Sequence, residues 1–289
     1  MHCCPPEPAW VRRAQVWLGT LVEVALPQDE ATAVRFDAAF AEVARVHRLM
    51  HPNARGSDLR RIARRAHRRA VRVDPRTFDV LQLAQALWRD SAGAFDPSLP
   101  ARGGADFGSL ELRSRGRRVR TLAPLHLDLG GIAKGHAVDL AVAALRAKGC
   151  RRGVVNAGGD LRCLGDHDWH PVRVRLPHDP AQAPALLEVR GAAVATSADT
   201  HRRPGGGLRD GRRLGHRRPC AHDGSVTVIA PSCAVADALT KLVALQPQRA
   251  TRWLNRHRAH ALRIDHAGRA TTTLAPGGAR ARLAPDAAP

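Results

Sequence analysis

Leu127-Asp128-Leu129-Gly130-Gly131-Ile132-Ala133-Lys134-Gly135 reads as a short apolar strand, a turn with two adjacent glycines and the opening of a helix. Val138, Ala141, Val142 and Leu145 continue at helical spacing to about Lys148, and Gly149 supplies the stop. A glycine turn at a helix N-terminus leaves backbone N–H groups free at the positive end of the helix dipole, a place suited to an anion such as phosphate. Asp128 and Lys134, one of three lysines in the chain, stand beside it. An unliganded strand-to-helix turn has the same pattern, so the choice between them falls to other stretches.

Composition narrows the classes. The 289 residues with 44% apolar content suffice for one large α/β or α+β unit with a full core. The formal charge of +20 is almost all arginine, which invites a nucleic-acid reading. Ala, Arg, Gly and Pro are enriched throughout, however, and aromatics make up only 3%, which leaves few stacking platforms for single strands. No nucleic-acid partner is expected. The six cysteines are scattered without C-x-x-C spacing; Cys150, Cys163 and Cys233 lie in apolar surroundings and read as small core residues. Pro5, Pro6 and Pro8 interrupt any apolar leader, and no apolar run is long enough to span a membrane. The expectation is a cytoplasmic protein, or a periplasmic or membrane-associated one if the start site is misassigned.

Outward from the opening motif, the chain is expected to begin with a disordered 1–14 segment and a strand from Gln15 to Leu26, with Gly19 marking a bulge or bend. A helix follows from Glu30 to Met50, with Phe36, Phe40, Val43, Val46 and Met50 inward. Ser57 can cap a short helix, and the arginine-dense Arg60–Arg72 run reads as a solvated face. Asp74-Pro75 starts another helix that ends at Gly93, just before the Ala94-Phe95-Asp96-Pro97 turn. Residues 102 to 121 suit a loop and a hairpin strand. Gly153-Val154-Val155-Asn156 is a buried strand that breaks at Ala157-Gly158-Gly159-Asp160; this second glycine pair closes a strand–helix–strand unit and can face the first. Strands at Val172–Leu176, Leu186–Val189 and Ala192–Thr196 continue a sheet, and Ser225–Ala230 is another strand. Ser232 caps a helix carrying Asp237, and a hairpin of Ala261–Ile264 and Thr271–Leu274 closes the domain at 275. The 276–289 tail is rich in Ala, Pro, Gly and Arg and reads as disordered.

In combination, Asp128-Leu-Gly-Gly-Ile-Ala-Lys-Gly135, Val155-Asn-Ala-Gly-Gly-Asp160, Ala195-Thr-Ser197 and Ser225–Ser232 leading to Ala236-Asp-Ala-Leu239 resemble the FAD:protein FMN transferase family. Leu18-Gly19-Thr20, Ser57-Asp58-Leu59 and Gly93–Pro97 add to the likeness, which runs from about Trp17 to Leu245. The resemblance implies a monomeric α+β enzyme with mixed and antiparallel sheets and packed helices. It implies FAD as substrate, Mg2+ as cofactor and an acceptor flavoprotein whose threonine hydroxyl receives FMN while AMP leaves. By the same pattern Leu18, Ala94, Phe95, Asp96, Asp128 and Lys134 contact FAD, joined by Asn156 and Gly158 of the second glycine turn. Gly131 supplies a carbonyl and Asp237 a carboxylate to the metal; read without the family, Asp237 is a solvent-facing helix acid.

Two departures stand out. The family places a threonine four residues after its metal-binding aspartate, where this chain has Lys241, with Thr240 one residue early as the substitute metal hydroxyl. An ammonium cannot ligate magnesium and competes with it for anionic oxygens. Between Ser197 and Ser225 the family's His-x-x-Asp-Pro-x-Thr-Gly segment is replaced by an arginine- and glycine-rich run over 200–218, as a compensated frameshift would produce. His216 is the candidate catalytic histidine there. These changes open a second expectation, a FAD-binding protein with impaired or lost transfer.

Overall fold

The structure is a computed structural model that describes residues 9–99, 105–166, 168–174, 185–198, 224–265 and 267–283. It begins with a hairpin rather than one strand. β1 (Trp10–Trp17) and β2 (Thr20–Pro27) pair antiparallel along their full length, from Trp10 opposite Pro27 to Trp17 opposite Thr20. Leu18 (φ 55°) and Gly19 (φ 75°) form the two-residue turn. Two successive positive φ values match the right-handed twist of the flanking strands. Gly19 is therefore a hairpin turn residue, not a bulge, and β1 lies partly inside the segment expected to be disordered. β1 is an edge strand with both faces largely exposed, so its sequence carries no apolar alternation to announce it.

The next elements follow their caps. α1 (Ala33–Met50) buries the five expected apolar residues. α2 (Asp58–Arg65) is capped by Ser57, whose Oγ accepts from Arg60 N–H at 3.1 Å. Asp58 is wholly buried; its Oδ2 accepts from Asp74 N–H at 2.8 Å, and Arg61 pairs with Oδ1. That ties α2 to the start of α3 (Pro75–Asp90), itself capped by Asp74. β3 (Val71–Arg72), β5 (Leu110–Arg113) and β6 (Arg118–Thr121) make a small sheet in the order β3-β6-β5, and β4 (Ser98–Leu99) pairs with β7 (His126–Leu127).

α4 (Ala133–Ala147) leads to β8 (Gly153–Ala157) and β9 (Asp160–Leu164). The expected strand–helix–strand unit does not form. Among the described residues β7 pairs only with β4, whereas β8 pairs antiparallel with β2 and β9 in another sheet. β10 (His170–Val174), β11 (Ala185–Val189), β12 (Ala193–Ala198) and β13 (Ser225–Ala230) precede α5 (Cys233–Leu245), α6 (Ala250–His257), β14 (His260–Ile264), β15 (Ala270–Thr273) and β16 (Ala281–Leu283). The main sheet has eight strands in the order β1-β2-β8-β9-β12-β13-β14-β15, all neighbours antiparallel. β10 and β11 do not continue it; they join β16 in a separate three-stranded sheet, which also places order in the tail expected to be disordered.

The core explains these layers. On one face of the main sheet Val155, Val226 and Val228 meet α1, α4 and α5. On the other, Cys163, Val194, Ile229 and Leu262 meet Leu187 and Val189 of the three-stranded sheet. α5 lies in the middle and is apolar nearly all round, the pattern of a helix enclosed on every side. Cys150, Cys163 and Cys233 are buried, as their surroundings suggest. The helices and antiparallel sheets make the expected α+β fold, and among the described residues no helix is long and apolar enough to cross a membrane.

Candidate active site

The opening glycine turn is tied to the 94–97 turn by the short β4–β7 pairing, in which Asp128 N–H donates to Pro97 O at 2.8 Å. Asp128 Oδ1 accepts from Gly130 N–H at 2.9 Å and closes the turn. Asp96 does the same one strand away, accepting from Ser98 N–H at 2.8 Å, with Phe95 fully buried behind it and Ala94 beside it. Neither Gly130 nor Gly131 has a positive φ, so the glycine pair is not there for a left-handed backbone. The second pair differs: Gly158 and Gly159 have φ of 63° and 99°. A Cβ on Gly158 would overlap the Thr20 side chain, so this turn packs directly against the Leu18-Gly19 turn.

Lys134 links the two glycine turns. Its Nζ pairs with Asp160 Oδ2 and lies 3.9 Å from Asp237 Oδ2. Lys241, one helical turn beyond Asp237, pairs with Asp237 Oδ1. Asp160 and Asp237 are almost wholly buried, whereas 27% of the Lys134 side chain is exposed, so solvent reaches the cluster through Lys134. Burial, followed by the Asp237 charge, pushes the Asp160 carboxyl up to about 6. Burial acts the same way on Asp237, but the Lys134 and Lys241 ammonium groups outweigh it and hold that carboxyl below its ordinary range. For Lys134 burial opposes the charge, and the Asp237 and Asp160 carboxylates more than reverse it.

The helix N-terminus is not the open anion cradle that the sequence suggests. Gly135 N–H donates to Asp237 Oδ2 at 3.3 Å, and Ile132 and Ala133 N–H donate to Leu129 O. The anion at the positive end of α4 is thus an internal carboxylate, with the favourable placement near a helix start that the dipole predicts. α5 is served in return by Asp139 of α4, which accepts from Cys233 N–H, Ala234 N–H and Ser232 Oγ at 2.8–2.9 Å. Gly135 permits the contact: a Cβ there would stand 2.7 Å from Ala234 N and overlap the Cys233 carbonyl.

Asp237 is therefore a buried acid, not a solvent-facing one. The donors expected to hold magnesium do not fit it as they stand. Both Asp237 oxygens are engaged, and the Thr240 hydroxyl donates back to the Asp237 backbone carbonyl at 2.7 Å. Gly131 is buried at the head of the turn. No group of three or more His, Cys, Asp or Glu side chains suited to a metal occurs among the described residues.

The structure brings Lys134 to Asp237 and seats the Leu18 turn on Gly158, while the Thr240 hydroxyl stays on the α5 backbone. It does not bring in Asn156, whose Oδ1 accepts from Gly159 N–H at 2.9 Å. Asn156 lines a groove of about 650 Å³ with Trp10, Arg12, Trp169 and His170, on the sheet face away from α4 and α5. His216 and the whole 200–218 run lie outside the described residues. Sequence reasoning missed Asp160 and Asp139. Asp160 directly follows the second glycine pair and carries that signal, while Asp139 has none, because its role is set by the crossing of two helices.

Known proteins resemble the chain in sequence and in fold. A family model described as the ApbE family matches residues 18–103 and 99–263. The FAD:protein FMN transferase of Rhodobacter capsulatus is 32% identical over 253 residues, covering 76% of this chain and 48% of that protein. The one from Treponema pallidum is 29% identical over 283 residues, covering 78% and 76%. The chain thus spans about half the length of the first of these relatives. The ApbE protein of Thermotoga maritima superposes with a TM-score of 0.77 at 22% identity, over 92% of this chain and 97% of that one, a likeness of fold. With the family model spread over most of its length, the chain belongs to the ApbE family.

Proposed function

We propose that the chain is a FAD:protein FMN transferase. The observation that carries this reading is the convergence of motif residues far apart in sequence. Lys134 from α4, Asp160 from the start of β9 and Asp237 from α5 meet at one place, with the Asp128 turn leading into it. The names of the relatives favour transfer over the second expectation, a protein that only binds FAD. In the proposed reaction a threonine oxygen of an acceptor flavoprotein attacks the FMN phosphorus. The new phosphoester bond forms as the pyrophosphate bond breaks, AMP departs, and the hydroxyl proton passes to a base. Lys134, the solvent-reached cation of the cluster, is suited to the charge on the pyrophosphate oxygens, where fixed positive charge favours the transition state. Leu18 and the Ala94-Phe95-Asp96 turn are proposed to position the flavin half, with Asp128 and Gly158 beside the phosphates.

The test is to incubate the chain with FAD and an acceptor flavoprotein domain carrying the target threonine. Transfer adds the mass of an FMN unit and in-gel flavin fluorescence to the acceptor, with matching release of AMP. An unmodified acceptor and no AMP would contradict the proposal.

A further inference from the structure

We propose that Lys241 takes the cation position that the family resemblance assigns to magnesium, so that Asp237 in this chain holds an ammonium group and not a divalent ion. The inference rests on the flavin reading for its ligand, but the metal test below stands without it.

The argument starts from Asp237. The residue has no exposed surface, Oδ1 is paired with Lys241 Nζ, and Oδ2 accepts from Gly135 N–H with Lys134 Nζ nearby. Lys241 is itself buried and sits four residues on, the spacing at which side chains of one helix meet. A buried ammonium must keep a carboxylate partner, and a buried carboxylate must keep its cation. Lys134 and Lys241 together balance Asp160 and Asp237, so the group is closed in charge. A magnesium ion demands near-octahedral oxygen ligands and gives up its water reluctantly. To enter here it must displace Lys241 from Oδ1 and leave that ammonium beside a doubly charged ion. The neighbouring hydroxyl, Thr240, is turned to a backbone carbonyl. One carboxylate oxygen of the cluster, Asp160 Oδ1, is buried without a hydrogen-bond partner among the described residues. A single free oxygen beside Lys134 accepts a hydrogen bond but does not make a metal site. The nucleotide pyrophosphate would then meet a cluster whose cations are built into the chain.

The experiment titrates Mn2+, a spectroscopic stand-in for Mg2+, into the full chain and into Lys241→Thr, counting bound ion by electron paramagnetic resonance. FAD binding to both proteins is followed by flavin fluorescence in chelator and in excess Mg2+. Wild type is expected to show no tight Mn2+ site and FAD affinity unchanged by chelation, whereas Lys241→Thr gains a site and its FAD affinity falls at least about tenfold in chelator. Stoichiometric Mn2+ binding by wild type, displaced by Mg2+, overturns the proposal. So does a folded Lys241→Thr protein that gains no site, because Lys241 would then not be what excludes the ion. If the variant does not fold, the wild-type titration alone decides. If neither protein binds FAD, the flavin reading fails while the Mn2+ counts still judge Lys241.

Discussion

Asp139 and Asp237 cap each other's helices: Asp139 on α4 accepts the first N–H groups of α5, and Asp237 on α5 accepts Gly135 N–H in the first turn of α4. This clasp sets the depth at which Lys134 and Lys241 meet their carboxylates. Asp139 also holds Arg162 of β9 at 2.5 Å, which fastens the clasp to the strand that begins at Asp160.

Asp139→Ala should therefore cost about 3 kcal/mol or more, since it strands several N–H donors and one guanidinium at once. Urea unfolding measures it. Asp139→Asn, which keeps an acceptor oxygen, should lose less, and equal losses would show that the charge is the only contribution.

Gly135→Ala tests the helix approach directly. The added methyl group meets backbone, not a flexible side-chain tip, so the crossing must open. A loss of about 1–3 kcal/mol or more is expected from overpacking. An unchanged melting temperature would contradict the close packing.

Leu18 holds a left-handed backbone, which costs a non-glycine residue about 1–2 kcal/mol. Leu18→Asn accepts that conformation more readily. It should raise the melting temperature by a few degrees, about what 1 kcal/mol produces. If Leu18 positions the flavin, FAD affinity should fall in the same protein. Stability and affinity rising together would remove Leu18 from the site.

Glu30 joins the start of α1 to the segment after α4, accepting from Arg151 N–H at 2.7 Å. Burial opposes its charge, but the Cys150 thiol, the Arg151 and Arg152 N–H groups and Arg35 outweigh burial and hold the carboxyl below 4.5. Its stabilisation is complete above the unfolded value of about 4.5 and is lost as pH falls through the lower folded value. Urea midpoints across that window should drop steeply for wild type and more shallowly for Glu30→Gln. Parallel curves would contradict this.

How much of this could be read from residues alone depended on how local its cause is. Ser57, Asp74 and Ser232 announced their helices because a cap is a short-range bond. The helical period of Val138, Ala141, Val142 and Leu145 announced α4. β1 did not show, since an exposed edge strand needs no apolar alternation, and β16 is held by pairing with β11 far away in sequence. Asp237 and Lys241 are an ordinary i, i+4 pair on paper. Their burial follows from the apolar surroundings of α5, which a one-helix reading assigns to the wrong face. The free helix N-terminus failed as an expectation for a related reason: its partner is a carboxylate supplied by another helix.

The most direct measurement is a calorimetric titration of FAD into the wild-type chain, Asp128→Asn and Lys134→Gln, with folding of each checked by circular dichroism. Wild type should bind FAD at a single saturable site, and both folded variants should bind at least about tenfold more weakly. No binding by wild type, or full affinity in both variants, would contradict the placement of the flavin nucleotide at the α4–α5 crossing.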